Sequence, residues 1–98
     1  MMQNMKIIEQ IKNLKAFKEG FYSVFEKQDY PLYINFESNE SFIMRQKKHG
    51  NKNTGYAFMN DNIVFVNINE IISKESTTEA KAMGELTARM LKSQIAYA

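Results

Sequence analysis

The stretch FIMRQKKHGNKNTGYAFM, Phe42–Met59, decides how the middle of this chain folds. Its two ends, FIMRQKK (42–48) and GYAFM (55–59), hold the aromatic and β-branched residues that suit a pleated surface, and HGNKNT between them has turn composition. The spacing predicts two neighbouring strands joined by a basic hairpin. On either side lie LYINFE (32–37) and IVFVNI (63–68), set off by SNES and NDN. Connections this short favour an antiparallel meander of four strands. Leu32, Ile34 and Phe36 alternate with Tyr33, Asn35 and Glu37, and Val64, Val66 and Ile68 alternate with Phe65 and Asn67. That period of two predicts a sheet with one buried face and one open face, the open face carrying Tyr33 and Phe65.

Helices are expected at both ends. Ile7, Ile8, Ile11, Leu14, Phe17, Phe21, Val24 and Phe25 recur at steps of three and four, which predicts a helix over 5–27 with one apolar face. Gly20 interrupts this pattern at a cost of about 1 kcal/mol relative to Ala, so a break there, with FYSVFEK as an extra strand, is the alternative. Pro31 lacks an amide hydrogen and turns Tyr30 away from helical geometry, ending the helix before the first strand. NEII (69–72) is expected to form a turn that returns Ile71 or Ile72 to the core. Ser76 and Glu79 have the spacing of a capping box and predict a helix over 77–95. The fold expected is α+β: a two-layer sandwich with the element order α-β-β-β-β-α, forming a single domain over residues 1–98.

At 98 residues there is room for one core. Thirteen Lys and Arg against 11 Asp and Glu leave a formal charge of +2, too small to mark a nucleic-acid binder by itself. The absence of cysteine removes disulfides and thiolate chemistry and is compatible with a reducing, cytoplasmic setting. The opening MMQNMKIIEQIKNLKAF is broken by polar residues every few positions and reads as helix, not as a signal peptide. No window reaches the roughly 20 apolar residues needed to span a bilayer, so a soluble protein is expected.

The catalytic motifs fail on inspection. Gly50 and Gly55 have the spacing that opens a phosphate-binding loop, but Tyr56 and Ala57 stand where that loop needs Lys and Ser or Thr. His49 is the single histidine, with no Cys to complete a zinc site, and it falls in a turn without an oriented nucleophile. Glu37 and Glu40 are a common surface spacing for acids. No catalytic residue, cofactor or metal is expected.

Two surfaces remain. No acid occurs from Ser41 to Asn60, whereas Arg45, Lys47, Lys48 and Lys52 all fall in that interval. With Tyr33 and Phe65 as a stacking platform, this patch could hold a single-stranded nucleic acid; the bland alternative is a solvated hairpin tip whose lysines protect the strands. On the last helix, Ala80, Gly84 and Ala88 recur every four residues, with Leu91 and Ile95 close to the same stripe and Met83, Leu86, Met90 and Tyr97 to one side. Small residues let another helix backbone approach, whether the first helix of the same chain or a second subunit across a two-fold axis. The function expected is a non-enzymatic, protein-binding regulator or inhibitor acting as a homodimer, with nucleic-acid binding as the competing class. Richness in Asn, Lys and Ile fits the AT-rich genomes in which phages and mobile elements carry many such short chains.

Overall fold

The computed structural model describes residues 2–25, 32–49, 52–53 and 55–96. The elements are α1 (Met2–Val24), β1 (Tyr33–Glu37), α2 (Asn39–His49), β2 (Lys52–Asn53), β3 (Ala57–Asn60), β4 (Ile63–Asn67), α3 (Ile68–Ile72) and α4 (Thr77–Ala96). The sheet order is β1-β4-β3-β2. β3 and β4 form an antiparallel hairpin, with Asp61 at its tip in the left-handed region at φ 55°. β1 lies parallel to β4, from Tyr33 opposite Ile63 to Glu37 opposite Asn67. The two-residue β2 adds an antiparallel margin to β3. This mixed sheet of three main strands overturns the expected four-stranded antiparallel meander, and with it the α-β-β-β-β-α order.

The correction comes from FIMRQKK, which is helix. Ser38 starts α2: its hydroxyl accepts from the Ser41 amide at 3.3 Å and its carbonyl from the Phe42 amide at 2.9 Å. Glu40 occupies the first turn and Lys47, Lys48 and His49 the last, each sign matching the helix dipole. Of the apolar run Phe42-Ile43-Met44 only Phe42 is buried, so the run is one anchor and two surface residues, not an alternating strand. α2 carries the chain back along the sheet, and β4 therefore emerges parallel to β1.

Two helices on one face of the sheet and one on the other make three layers. Toward α1 and α4, the strands present Leu32, Ile34, Phe36, Ala57, Met59, Val64 and Val66, which pack with Phe17, Phe21, Phe25, Met83 and Leu91. Toward α2 they present Phe58 and Phe65, which stack at 5.1 Å beneath Phe42. The strand register thus matches the expected alternation, yet the face expected to be open is covered. β1 is an edge strand, and Tyr22 blunts its outer side by donating its hydroxyl to the Leu32 carbonyl at 2.9 Å and accepting from the Ile34 amide.

α1 and α4 run in the same direction and cross closely. Asn13 of α1 donates to the Lys74 carbonyl at 2.9 Å just before α4 begins, and Lys92 near the end of α4 reaches the Val24 carbonyl at 3.4 Å. At the crossing, a methyl on Gly84 would overlap the Phe17 carbonyl oxygen, and one on Gly20 would overlap the Lys81 carbonyl oxygen. Two facing glycines therefore set this helix separation. α1 continues through Gly20 to Val24, so residues 21–24 of FYSVFEK are helix; Pro31 and residues 26–30 lie outside the described residues. The Ser76 cap forms, its hydroxyl accepting from the Glu79 amide at 3.2 Å, while the Glu79 carboxylate accepts from the Glu75 amide instead of that of Ser76. NEII lies in α3, which Asn67 caps by accepting from the Asn69 amide, and it delivers Ile71 to the core.

Candidate functional site

The basic segment lies on a helix, and its members have different duties. Arg45 Nε donates to both carboxylate oxygens of Glu37, at 2.8 and 3.0 Å, and its guanidinium sits 4.7 Å above the Phe65 ring. Glu37 is buried, so this cation balances a desolvated charge and ties α2 to the end of β1. Lys47, Lys48 and His49 stand exposed at the end of α2. Beside them, Ser41, Met44, Arg45, Lys48 and His49 line an open depression of about 280 Å³. Lys52 is in β2; its side chain, and Gly50, Asn51 and Thr54 of the expected turn, lie outside the described residues. Tyr33 is 60% exposed on the edge strand, but Phe65 is only 6% exposed, and the two do not make a shared stacking platform.

The small-residue stripe of α4 has its partner within the chain. Ala80, Ala88 and Leu91 are fully buried, and Gly84 meets the backbone of Phe17 and Phe21 in α1. The side chain of Ile95, and all of Tyr97, lie outside the described residues. Farther round α4, Leu86 and Met90 stay exposed. Leu86 and Met83, with Ala82, Tyr56, Glu70, Lys74 and Glu79, line a groove of about 520 Å³ between α3 and α4. Its wall is fixed by a hydroxyl relay: Thr87 donates to the Met83 carbonyl at 2.7 Å, which leaves Tyr56 to donate to Thr87 at 2.6 Å.

One surface escaped the sequence reading. Ile7, Ile8 and Ile11, expected on the core face of the first helix, are each about half exposed. Ile8 and Ile11 lie on the side of α1 that carries the exposed Lys15 and Lys18, nearly opposite the buried Asn13, and a mismatch of lengths adds to this at the start of the helix. A 23-residue helix is about 35 Å long, whereas a five-residue strand covers about 17 Å, so α1 outruns the sheet that it covers. Phe17 packs edge-on against Phe36 at the far end of β1, and the three isoleucines lie beyond it along α1. Lys12 and Lys15 follow Ile8 and Ile11 by one turn on the same side.

Tyr22 has a phenol pushed above its ordinary value, first by burial and also by the neighbouring Tyr33, with the Ile34 amide opposing both. Among the described residues, no group of three or more His, Cys, Asp or Glu side chains could hold a metal ion. Among them, too, no helix is long and apolar enough to cross a membrane. Comparison with known proteins finds no family model, no curated protein and no solved structure that matches the chain.

Proposed function

We propose that this chain is a small, non-enzymatic protein-binding module, a regulator or inhibitor of a larger protein, with the amino-terminal third of α1 as its docking element. The supporting observation is the cluster Ile7, Ile8 and Ile11, three large aliphatic side chains half exposed on one stretch of helix. Scattered apolar residues on a surface are ordinary, whereas a contiguous stripe marks a contact site. Helix-in-groove recognition reads such residues at spacings of three and four. The lack of cysteine fits the reducing cytoplasm that forms part of this proposal.

A photo-crosslinking residue at position 8 or 11, with a control at Lys92 on the far part of α4, tests the reading in cells of the native host. Discrete protein adducts from positions 8 and 11, absent at the control, are expected. No protein adduct from either position would remove the proposal. A second reading, nucleic-acid binding, has one observation in its favour: the exposed Lys47, Lys48 and His49 at the end of α2.

A further inference from the structure

Tyr22 supplies only the first rung of an absent strand. Tyr33 donates its amide to the Asn62 carbonyl at 2.9 Å, so the backbone groups of Tyr33, Asn35 and Glu37 point to β4. Those of Leu32, Ile34 and Phe36 therefore point outward. The Tyr22 phenol meets the Leu32 carbonyl and the Ile34 amide, as the backbone of a neighbouring strand would. Past it the Ile34 carbonyl and both backbone groups of Phe36 face out, and none of the three bonds to another described residue. Sheet edges are commonly protected by shortness, Lys, Pro or a bulge. The opposite edge has that protection, since β2 is two residues long and begins with Lys52. β1 has five residues in unbroken register without Lys or Pro, and its one charge, Glu37, is held by Arg45.

The side of α1 that reaches this edge also carries exposed isoleucines. Tyr22, Lys18, Lys15, Ile11 and Ile8 fall within about 80° of one another round the helix, whereas Gly20, which meets α4, stands about 160° from Tyr22. α1 runs against β1, with Tyr22 at Leu32 and Phe17 at Phe36. Ile11 and Ile8 thus lie about 9 and 13 Å past Phe17, beyond the carboxyl end of β1, and about three or four residues of extended chain cover that distance.

We infer that an extended segment of a partner protein adds to the outer edge of β1 as a further strand, pairing with Ile34 and Phe36 and continuing past Glu37 toward Ile11 and Ile8. The open backbone groups select the conformation of the occupant, because an extended chain presents amides and carbonyls at their spacing; the isoleucines select apolar side chains where it continues. A second copy fits less well. α1 lies under β1, so two copies joined edge to edge, their β1 strands about 4.8 Å apart, would crowd two helices that need about 8–10 Å between axes. The inference rests on the protein-binding role proposed above and gives the partner's segment a conformation.

Peptide selection with a backbone-blocked variant tests it. The probe is a displayed library of random peptides long enough to run from Ile34 past Ile8. Recovered peptides should bind the wild-type chain with Kd of about 1–100 μM and slow deuterium exchange at the Phe36 amide about tenfold or more, read by NMR. Chemical synthesis with N-methyl-phenylalanine at position 36 removes that donor and keeps every carbonyl. Circular dichroism checks its fold, and it should bind the same peptides about tenfold or more weakly. No peptide binding tighter than about 1 mM, or bound peptides that leave Phe36 exchange unchanged, would overturn the inference, and neither result needs a variant. A wild-type dimer that the N-methyl group splits would overturn it in favour of a second copy. Peptides weakened by Ile8→Asp but not by the N-methyl group would overturn strand addition and leave the docking role of α1 standing. Phe36 protection without crosslinks from positions 8 and 11 would support the strand pairing and remove only the role of α1.

Discussion

Gly84→Ala sets two effects of opposite sign against each other at the α1–α4 crossing. In an exposed helix the change stabilises by about 0.8–1 kcal/mol, since Ala loses less backbone freedom on folding. Here the new methyl would overlap the Phe17 carbonyl oxygen and lie 2.9 Å from the Phe21 nitrogen and 3.0 Å from the Phe17 carbonyl carbon. Comfortable contact needs about 3.5–4.0 Å, and the obstacle is backbone, which no rotamer change can clear. α1 must therefore move away by about 1 Å, and a gap of that size forfeits up to half of the dispersion energy along the row of Phe17, Phe21, Ala80, Ala88 and Leu91. Overpacking costs about 1–3 kcal/mol, and a backbone obstacle belongs at the upper end. The net expectation is a loss of about 2 kcal/mol, or a fall in Tm of about 8–16 °C for a chain of this size. Urea melts followed by circular dichroism measure it. Gly20→Ala should behave alike, and the double variant should lose less than the sum, because the first methyl already separates the helices. A midpoint unchanged or raised by Gly84→Ala would refute the close crossing.

Further outcomes follow from other contacts. Arg45→Ala strands the buried Glu37 carboxylate and should cost about 1–3 kcal/mol, whereas Lys47→Ala and Lys48→Ala should stay within about 0.5 kcal/mol; denaturant midpoints compare them. Tyr22 has its folded-state pKa above its unfolded value, so its stabilising contribution is full below about pH 10 and is lost as pH rises through the folded value. In a 295 nm titration, Tyr22→Phe should remove a late-ionising phenol and flatten the alkaline loss of stability; an unaltered titration curve contradicts the assignment. If the end of α2 binds nucleic acid, labelled oligonucleotides should dissociate with salt at a log–log slope of about −2 in magnitude for two phosphate contacts, and Lys47→Glu with Lys48→Glu should abolish it. Weak binding that the double variant leaves unchanged removes that reading.

Much of the fold was legible where local pattern and tertiary demand agree. β1 and β4 lie where alternation placed them and β3 where composition did, and Val64, Val66, Ile34 and Phe36 face the core as the period of two requires. The long helices and the Ser76 cap were readable for the same reason. α2 was not, because three consecutive apolar residues imitate a strand when only one of them is buried. The contrary signals were present: Ser38 three residues before Ser41, an acid in the first turn and three basic side chains in the last. Once that segment is helix, the parallel β1–β4 pairing follows, and Phe65 loses its exposure. The Glu37–Arg45 pair spans a strand-to-helix junction and corresponds to no spacing rule within one element. Gly20 looked like a weakness in α1, and only knowledge of its partner, Lys81, shows it as the site of closest approach.

The packing of α1 on α4 joins two elements that lie far apart in the chain. Val24 and Lys92, in contact in the folded protein, are 68 residues apart in the chain. At a synthesis rate of about 5–20 residues per second, the face of α1 that bears Phe17 and Phe21 waits about 3–14 s for its cover. Until then the strands alone cover Phe17 and Phe21, and the part of α1 that α4 will bury stays open, the kind of surface that chaperones bind and that nucleates aggregates. A chain stopped before Leu91 lacks part of the cover of its core.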